Sequence, residues 1–287
     1  MRAGTVHRGL VLVLCALFQG GCTATAFLAA NLPSTFGPWK RFASLPYGLE
    51  KKQKLDVYVP EGPAAAPRTV VVFFHGGSWS TGSKKQYRFV ASSLAAEGFI
   101  VVVPNYRLNP QVRFPVFIED AARSVAWTLR YIDRYGGDPA RVFVMGHSAG
   151  AHIALMLALD QRYLAAAGAS AADLRGAIGL SGPYDFAIDS PLLRSVFGSA
   201  PDPLETQPVQ FVRGDAPPLL LVHGTDDRVC LDRNSIRLAE LVRAAGGQAE
   251  LRLYPGADHG DTVGGFIPFW REQVPTVRDV VAFLKAR

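Results

Sequence analysis

From about residue 40 onward, short apolar runs alternate with stretches of helical periodicity. Thr69 to Phe74 (TVVVFF), Phe99 to Val103 (FIVVV), Arg141 to Met145 (RVFVM), Ala177 to Leu180 (AIGL) and Leu219 to Val222 (LLLV) carry almost no polar residue. Runs of that length without alternation predict strands buried on both faces. Leu55 to Val59 alternates and stops at Pro60, and Ala249 to Leu253 adds a last strand. Between them, apolar positions three and four apart predict helices over Lys85–Glu97, Glu119–Tyr135, Ala149–Leu159, Asn234–Ala245 and Val274–Ala286. Apolar strands separated by helices pair in parallel through right-handed crossovers, with helices on both faces. The expected class is therefore an open, mostly parallel α/β sheet. Residues 182–218 hold seven prolines and no strand-like run, which predicts a small insertion over the carboxyl edge of the sheet, before the strand at 219. No internal repeat and no second core interrupts residues 41–287.

The first forty residues read differently. Arg2, His7 and Arg8 form a basic end, and residues 9–39 then contain no Lys, Arg, Asp or Glu. The most apolar part, Val11 to Phe18, has the length of a signal-peptide core and is short for a spanning helix. Gln19, Gly20 and Gly21 precede Cys22, which resembles the lipobox of bacterial lipoproteins, with Gln19 where a Leu or similar residue is usual. The resemblance implies a signal peptide over 1–21, lipidation of Cys22 and a tether over 22–40. It places the protein in a bacterial cell envelope, on the outer membrane or the periplasmic side. An ordinary cleaved signal and an uncleaved signal anchor are the alternatives.

Composition narrows the class further. The chain has 287 residues, 49% hydrophobic and 19% charged, too apolar for disorder. Three cysteines are too few for a disulfide scaffold, and with Cys15 removed and Cys22 lipidated, Cys230 has no partner. The net charge of +6 is not concentrated in a cluster interleaved with aromatics, so no nucleic-acid partner is expected.

Reactive residues should sit on loops at the carboxyl ends of the strands, and four loops carry them. Gly146-His147-Ser148-Ala149-Gly150 lies between a strand and a helix, the context of the G-x-S-x-G elbow that exposes a nucleophilic serine. His75-Gly76-Gly77-Ser78-Trp79 follows the first buried strand, and its glycines let main-chain N–H groups approach a developing oxyanion. Gly77 and Ser78, with the N–H of Ala149, are the candidate oxyanion donors; His75 reads as a hydrogen-bonded organiser of the loop. His223-Gly224-Thr225-Asp226-Asp227 offers two acids able to orient an imidazole. Gly256-Ala257-Asp258-His259-Gly260 presents His259 as general base and then acid. His147 and His152 are five apart and do not share a helical face, no carboxylate cluster suits a hard cation, and no nucleotide-binding glycine loop is present. No metal or cofactor is implied.

Taken in order, Ser148, an acid at 226 or 227 and His259 resemble the α/β-hydrolase superfamily over residues 55–287. Within it, HGGSW, Asn105-Tyr106-Arg107-Leu108 with Phe114-Pro115, GHSAG, HGTDDRV and GADHG are similar to hormone-sensitive-lipase-like and to feruloyl- and acetyl-esterase-like (BD-FAE-like) carboxylesterases. The resemblance implies that Asp227 is the acid, through the pattern HGxxDxxV. It implies a serine hydrolase acting on a small-molecule carboxylic ester through an acyl-enzyme. Ser78 replaces the third glycine of the HGGG pattern and brings the chain close to the HGG-x-W variant shared with arylformamidases. An amide, formamide or peptide bond is therefore the alternative substrate, and a non-catalytic binding module of the same fold the remaining one. Trp79 and the 183–218 insertion are expected to line the substrate pocket. The short stretch before the first strand implies a thin lid and short or bulky acyl groups.

Overall fold

A computed structural model describes residues 23–32 and 37–287. The expected signal peptide and Cys22 lie outside the described residues. Eight strands form one sheet: β1 (Trp39–Pro46), β2 (Lys54–Pro60), β3 (Arg68–Phe74), β4 (Ile100–Pro104), β5 (Gly137–His147), β6 (Leu174–Leu180), β7 (Leu219–Gly224) and β8 (Ala249–Tyr254). Their spatial order is β1-β2-β4-β3-β5-β6-β7-β8. β1 and β2 run antiparallel to their neighbours and the other pairings are parallel. This is the open, mostly parallel α/β sheet that the apolar runs predict.

β3 shows why its residues form a strand. Val70, Val72 and Phe74 enter the core on one face, and Val71 and Phe73 enter the core on the other. Side chains alternate across a strand, so a strand covered on both faces needs apolar residues at every position. Helices Val116–Tyr131, Ala149–Leu159 and Arg233–Ala244 cover one face, and Arg88–Ala96 and Thr276–Lys285 the other. Every residue of the helix at 149–159 is buried, and its side chains are apolar on all faces apart from His152.

Two elements depart from the sequence pattern. β1 is an edge strand with no buried residue and most of them exposed, and its register shifts between Phe42 and Leu45, where Ser44 has φ 58°. A bulge breaks the alternation by which such a strand is recognised. The segment expected to be a tether contains a helix, Thr23–Asn31, seated on the helix at 88–96. Asn31 donates to the Gln86 carbonyl (2.8 Å) and accepts from the Phe89 N–H (3.0 Å), and the Phe27 and Tyr87 rings lie 5.2 Å apart. The insertion folds as the helix Pro191–Phe197 and two single turns at Pro203–Thr206 and Pro208–Phe211. No helix among the described residues is long and apolar enough to cross a membrane.

A buried carboxylate anchors the chain just after β4. Asp120, with no exposed surface, accepts from Arg107 Nε (2.9 Å), Arg107 Nη2 (2.7 Å), the Arg107 N–H (3.0 Å) and Gln53 Nε2 (2.7 Å). Removing one partner of a buried pair strands the other charge in a low-dielectric interior. Arg107→Ala is expected to destabilise the fold by about 3 kcal/mol in urea unfolding at pH 7; a loss under about 1 kcal/mol, the scale of a surface pair, would contradict this account.

Candidate active site

Ser148 follows the last residue of β5 and caps the buried helix at 149–159, with φ 54° and ψ −122°. That backbone is strained for a residue with a Cβ. It is held because strand and helix meet with no room for side chains. A Cβ on Gly146 would lie 2.1 Å from the Gly150 carbonyl oxygen, and one on Gly150 would lie 2.1 Å from that of Phe74. The second contact also brings the elbow against the end of β3, where HGGSW begins.

His259, on the loop after β8, brings Nε2 to 2.9 Å from Ser148 Oγ. Its Nδ1 is 2.8 Å from Asp227 Oδ2, on the loop after β7. The imidazole is 18% exposed and Asp227 is buried. Burial alone would raise the Asp227 pKa, but hydrogen bonds from His223 and His259, the charge of His259 and the Cys230 N–H together hold it below the ordinary carboxylate range. Oδ1 accepts from the N–H groups of Val229 (2.9 Å) and Cys230 (2.8 Å), while Oδ2 lies 3.2 Å from His223 Nε2. An ionised carboxylate on Nδ1 keeps that proton in place and leaves Nε2 free to accept one from the serine. Asp226, the other acid of the turn, is exposed, and Thr225 Oγ1 donates to it across 3.4 Å.

Gly77 and Ser78 occupy the loop after β3 with φ of 120° and 50°. A Cβ on Gly77 would lie 2.4 Å from the Thr81 carbonyl oxygen, so only glycine fits. The N–H groups of Gly77, Ser78 and Ala149 meet no acceptor among the described residues. His75 is fully buried, stacked on Tyr106 with centroids 4.3 Å apart, with its Nδ1 2.8 Å from the Gly76 carbonyl oxygen. Trp79, expected to line the substrate pocket, is only 4% exposed. Its indole packs against Phe197 (4.7 Å), His152 (5.2 Å) and Phe186 (5.9 Å), so it forms the wall behind the site and not an open surface. The reason is tertiary: Phe186 and Phe197 come from the insertion, which closes over it.

Sequence reasoning left His147 and His223 without a role. His223 is buried, with Nε2 2.7 Å from the Cys230 carbonyl oxygen and Nδ1 2.7 Å from Ser235 Oγ. The signal was partial: His223 opens the HGxxDxxV pattern, whereas His147 fills a variable position of G-x-S-x-G.

Burial lowers the pKa of His75 to about 4, of His152 to about 4 and of His147 to about 3. An unfolded histidine protonates near pH 6.5. Between that value and the folded pKa the unfolded chain binds more protons, so stability falls as pH falls. Each histidine contributes a slope of up to about 1.4 kcal/mol per pH unit there. Thermal unfolding from pH 7 to pH 4.5 is expected to show a steep acid-side loss of Tm beginning near pH 6.5; a flat profile down to pH 5 would show that these rings are not held neutral.

The BD-FAE family model matches residues 55–242. A probable isoprenylcysteine alpha-carbonyl methylesterase of Arabidopsis thaliana is 31% identical over 268 residues, covering 84% of this chain and 56% of its own. Esterase LipC of Mycobacterium tuberculosis (strain ATCC 25618 / H37Rv) is 32% identical, covering 75% of this chain and 58% of its own. The chain thus spans little more than half the length of these curated relatives. Among solved structures, an inhibited esterase B from Lactobacillus rhamnosis superposes with a TM-score of 0.80 at 22% identity, covering 97% of this chain and 96% of that one. Thermogutta terrifontis esterase 2 phosphoramylated by tabun superposes with a TM-score of 0.72 at 23% identity, covering 89% and 97%.

Proposed function

We propose, from the premise that the chain belongs to the BD-FAE family of α/β-hydrolase esterases, that it is a serine hydrolase of carboxylic esters. The observation that carries the proposal is the hydrogen-bonded series Ser148 Oγ, His259 Nε2, His259 Nδ1, Asp227 Oδ2, at 2.9 and 2.8 Å, on an elbow at φ 54°. Ser148 Oγ attacks the ester carbonyl as its proton passes to His259 Nε2. The oxyanion is held by N–H groups of Gly77, Ser78 and Ala149. His259 then gives the proton to the departing alkoxide, which leaves as the alcohol. Water, deprotonated by the same imidazole, attacks the acyl-enzyme and regenerates Ser148. Asp227 keeps Nδ1 protonated throughout and supports the transient imidazolium. Relatives named esterases and methylesterases favour an oxygen ester over an amide.

Ser148→Ala is expected to lower p-nitrophenyl acetate turnover by at least about 10³-fold with the thermal midpoint unchanged. Asp227→Asn should cost far more than Asp226→Asn, because only Asp227 bonds the ring. Full activity in Ser148→Ala would refute the reading, and a larger loss in Asp226→Asn would reassign the acid.

We further propose that the chain is exported and carries a lipid on Cys22, which the basic start, the apolar core at 11–18 and the small residues before Cys22 support. Metabolic labelling with an alkyne fatty acid is expected to tag the wild-type protein and not Cys22→Ser. Equal labelling of both, or none of either, would sink the lipid anchor.

A further inference from the structure

Two buried side chains stand beside this chemistry without entering it. His147 fills the second place of GHSAG, and its ring lies 4.9 Å from the His259 ring, tilted by 48°. His147 Nε2 is 3.0 Å from the main-chain oxygen of His259. A carbonyl oxygen only accepts, so the proton sits on Nε2. Burial first, and then the nearby His259, keep the imidazole neutral, which leaves Nδ1 as an acceptor. The hydroxyl of Tyr87 lies 3.5 Å from it, the longest link of the series. That hydroxyl is itself packed on the oxyanion loop. A Cβ on Gly76 would sit 3.0 Å from Tyr87 Oη, 3.1 Å from His147 Nδ1 and 3.0 Å from the His147 carbonyl oxygen. Burial raises the Tyr87 pKa, so the phenol keeps its proton and can donate it. The hydrogen bonds therefore run in one direction, from Tyr87 through His147 to the His259 carbonyl, a polarity in which each bond strengthens the next.

The loop that carries His259 is tied on one side to the loop after β7, through the Asp226 N–H to the Ala257 carbonyl (3.0 Å) and the Gly256 N–H to Thr225 Oγ1 (2.9 Å), and on the other side to β5 through His147. Its turn is shaped from within: Asp258 Oδ1 accepts from the N–H groups of Gly260 (2.8 Å) and Asp261 (3.1 Å), and Asp261 Oδ2 accepts from that of Asp258 (2.8 Å). Those bonds set the shape of the turn but not its distance from the elbow. Gly256, at φ 73°, and exposed Pro255 lead into it. Among the described residues, His147 supplies the donor to the His259 carbonyl. That bond ties the backbone of the base to β5, the strand that ends in Ser148.

We propose that His147, supported by Tyr87, is a positioning residue that holds the His259 imidazole within reach of Ser148 and couples the base to the oxyanion loop. The proposal rests on the hydrolase reading above. It concerns alignment, so its loss should appear in kcat and in the reactivity of Ser148 more than in KM.

The test uses the full chain, with p-nitrophenyl acetate turnover and the rate of Ser148 labelling by a fluorophosphonate probe as readouts. His147→Phe keeps a ring and deletes the donor. It is expected to lower kcat and the labelling rate together by roughly 10- to 100-fold, the scale of a misplaced reacting group, with KM within about threefold. His147→Gln carries an amide N–H close to the position of Nε2 and should recover most of both rates. A His147→Phe variant within about twofold of wild type, or equal losses in the Phe and Gln variants, overturns the proposal. Should His147→Phe fail to fold, Tyr87→Phe removes the supporting hydroxyl alone; its kcat should fall about threefold at constant KM, and an unchanged kcat overturns the proposal equally. Ser148→Ala separates the two readings. If that variant still turns over, the hydrolase reading has failed; if it is inactive while His147→Phe is fast, only the positioning role has.

Discussion

The structure around the candidate site depends on one steric constraint, the meeting of β5, the helix at 149–159 and β3 at backbone distance. The space a Cβ would need at Gly146 is filled by a carbonyl of the helix, and at Gly150 by a carbonyl of β3. Only glycine permits that approach. Once it is made, the residue between strand and helix has to turn sharply, and Ser148 takes the strained conformation that lifts its hydroxyl clear. The cost of the strain, of order 1–3 kcal/mol, is met by the burial of the whole following helix. The site is thus an outcome of core packing: a loosely packed elbow would relax and withdraw the nucleophile.

Polar groups around that core follow a single rule, that a buried charge is surrounded by donors and a buried imidazole is left neutral. Asp227 and Asp120 are both carboxylates inside the protein, and each accepts several hydrogen bonds. Asp120 uses them to fix the chain after β4 on the helix at 116–131. Asp227 uses them to stay ionised, which allows it to orient His259. His75, His147 and His152 are uncharged, and each has a ring nitrogen directed at a main-chain oxygen. They act as buried polar struts. The five imidazoles at 75, 147, 152, 223 and 259 share a side-chain type, and packing alone assigns one of them to face the serine.

Much of this was legible in the chain. The apolar runs are a direct consequence of double-sided burial, so β3 to β7 stand out. The glycines of GHSAG and HGGSW mark backbone contacts, and Ser148 and His259 are named by their places on loops after strands. β1 was not legible, because an exposed, bulged edge strand has neither an apolar run nor a clean alternation. The helix at 23–31 was hidden by its place within an uncharged, apolar stretch, where composition looks the same for a tether and for a docked helix. Trp79 was legible as part of the loop but not as a buried wall, since the rings that cover it arrive more than a hundred residues later.

Local chemistry thus settled, from the sequence by itself, the class of sheet, the turn that must hold the serine, and the short menu of partner residues. Those properties depend on neighbours a few positions apart. The tertiary structure added what no spacing along the chain carries: the 2.9 and 2.8 Å contacts that join Ser148, His259 and Asp227, the place of His147 against the His259 carbonyl, and the burial of Trp79. Those features turn on contacts between loops from different strands, and an ångström of placement there separates a hydrogen bond from none.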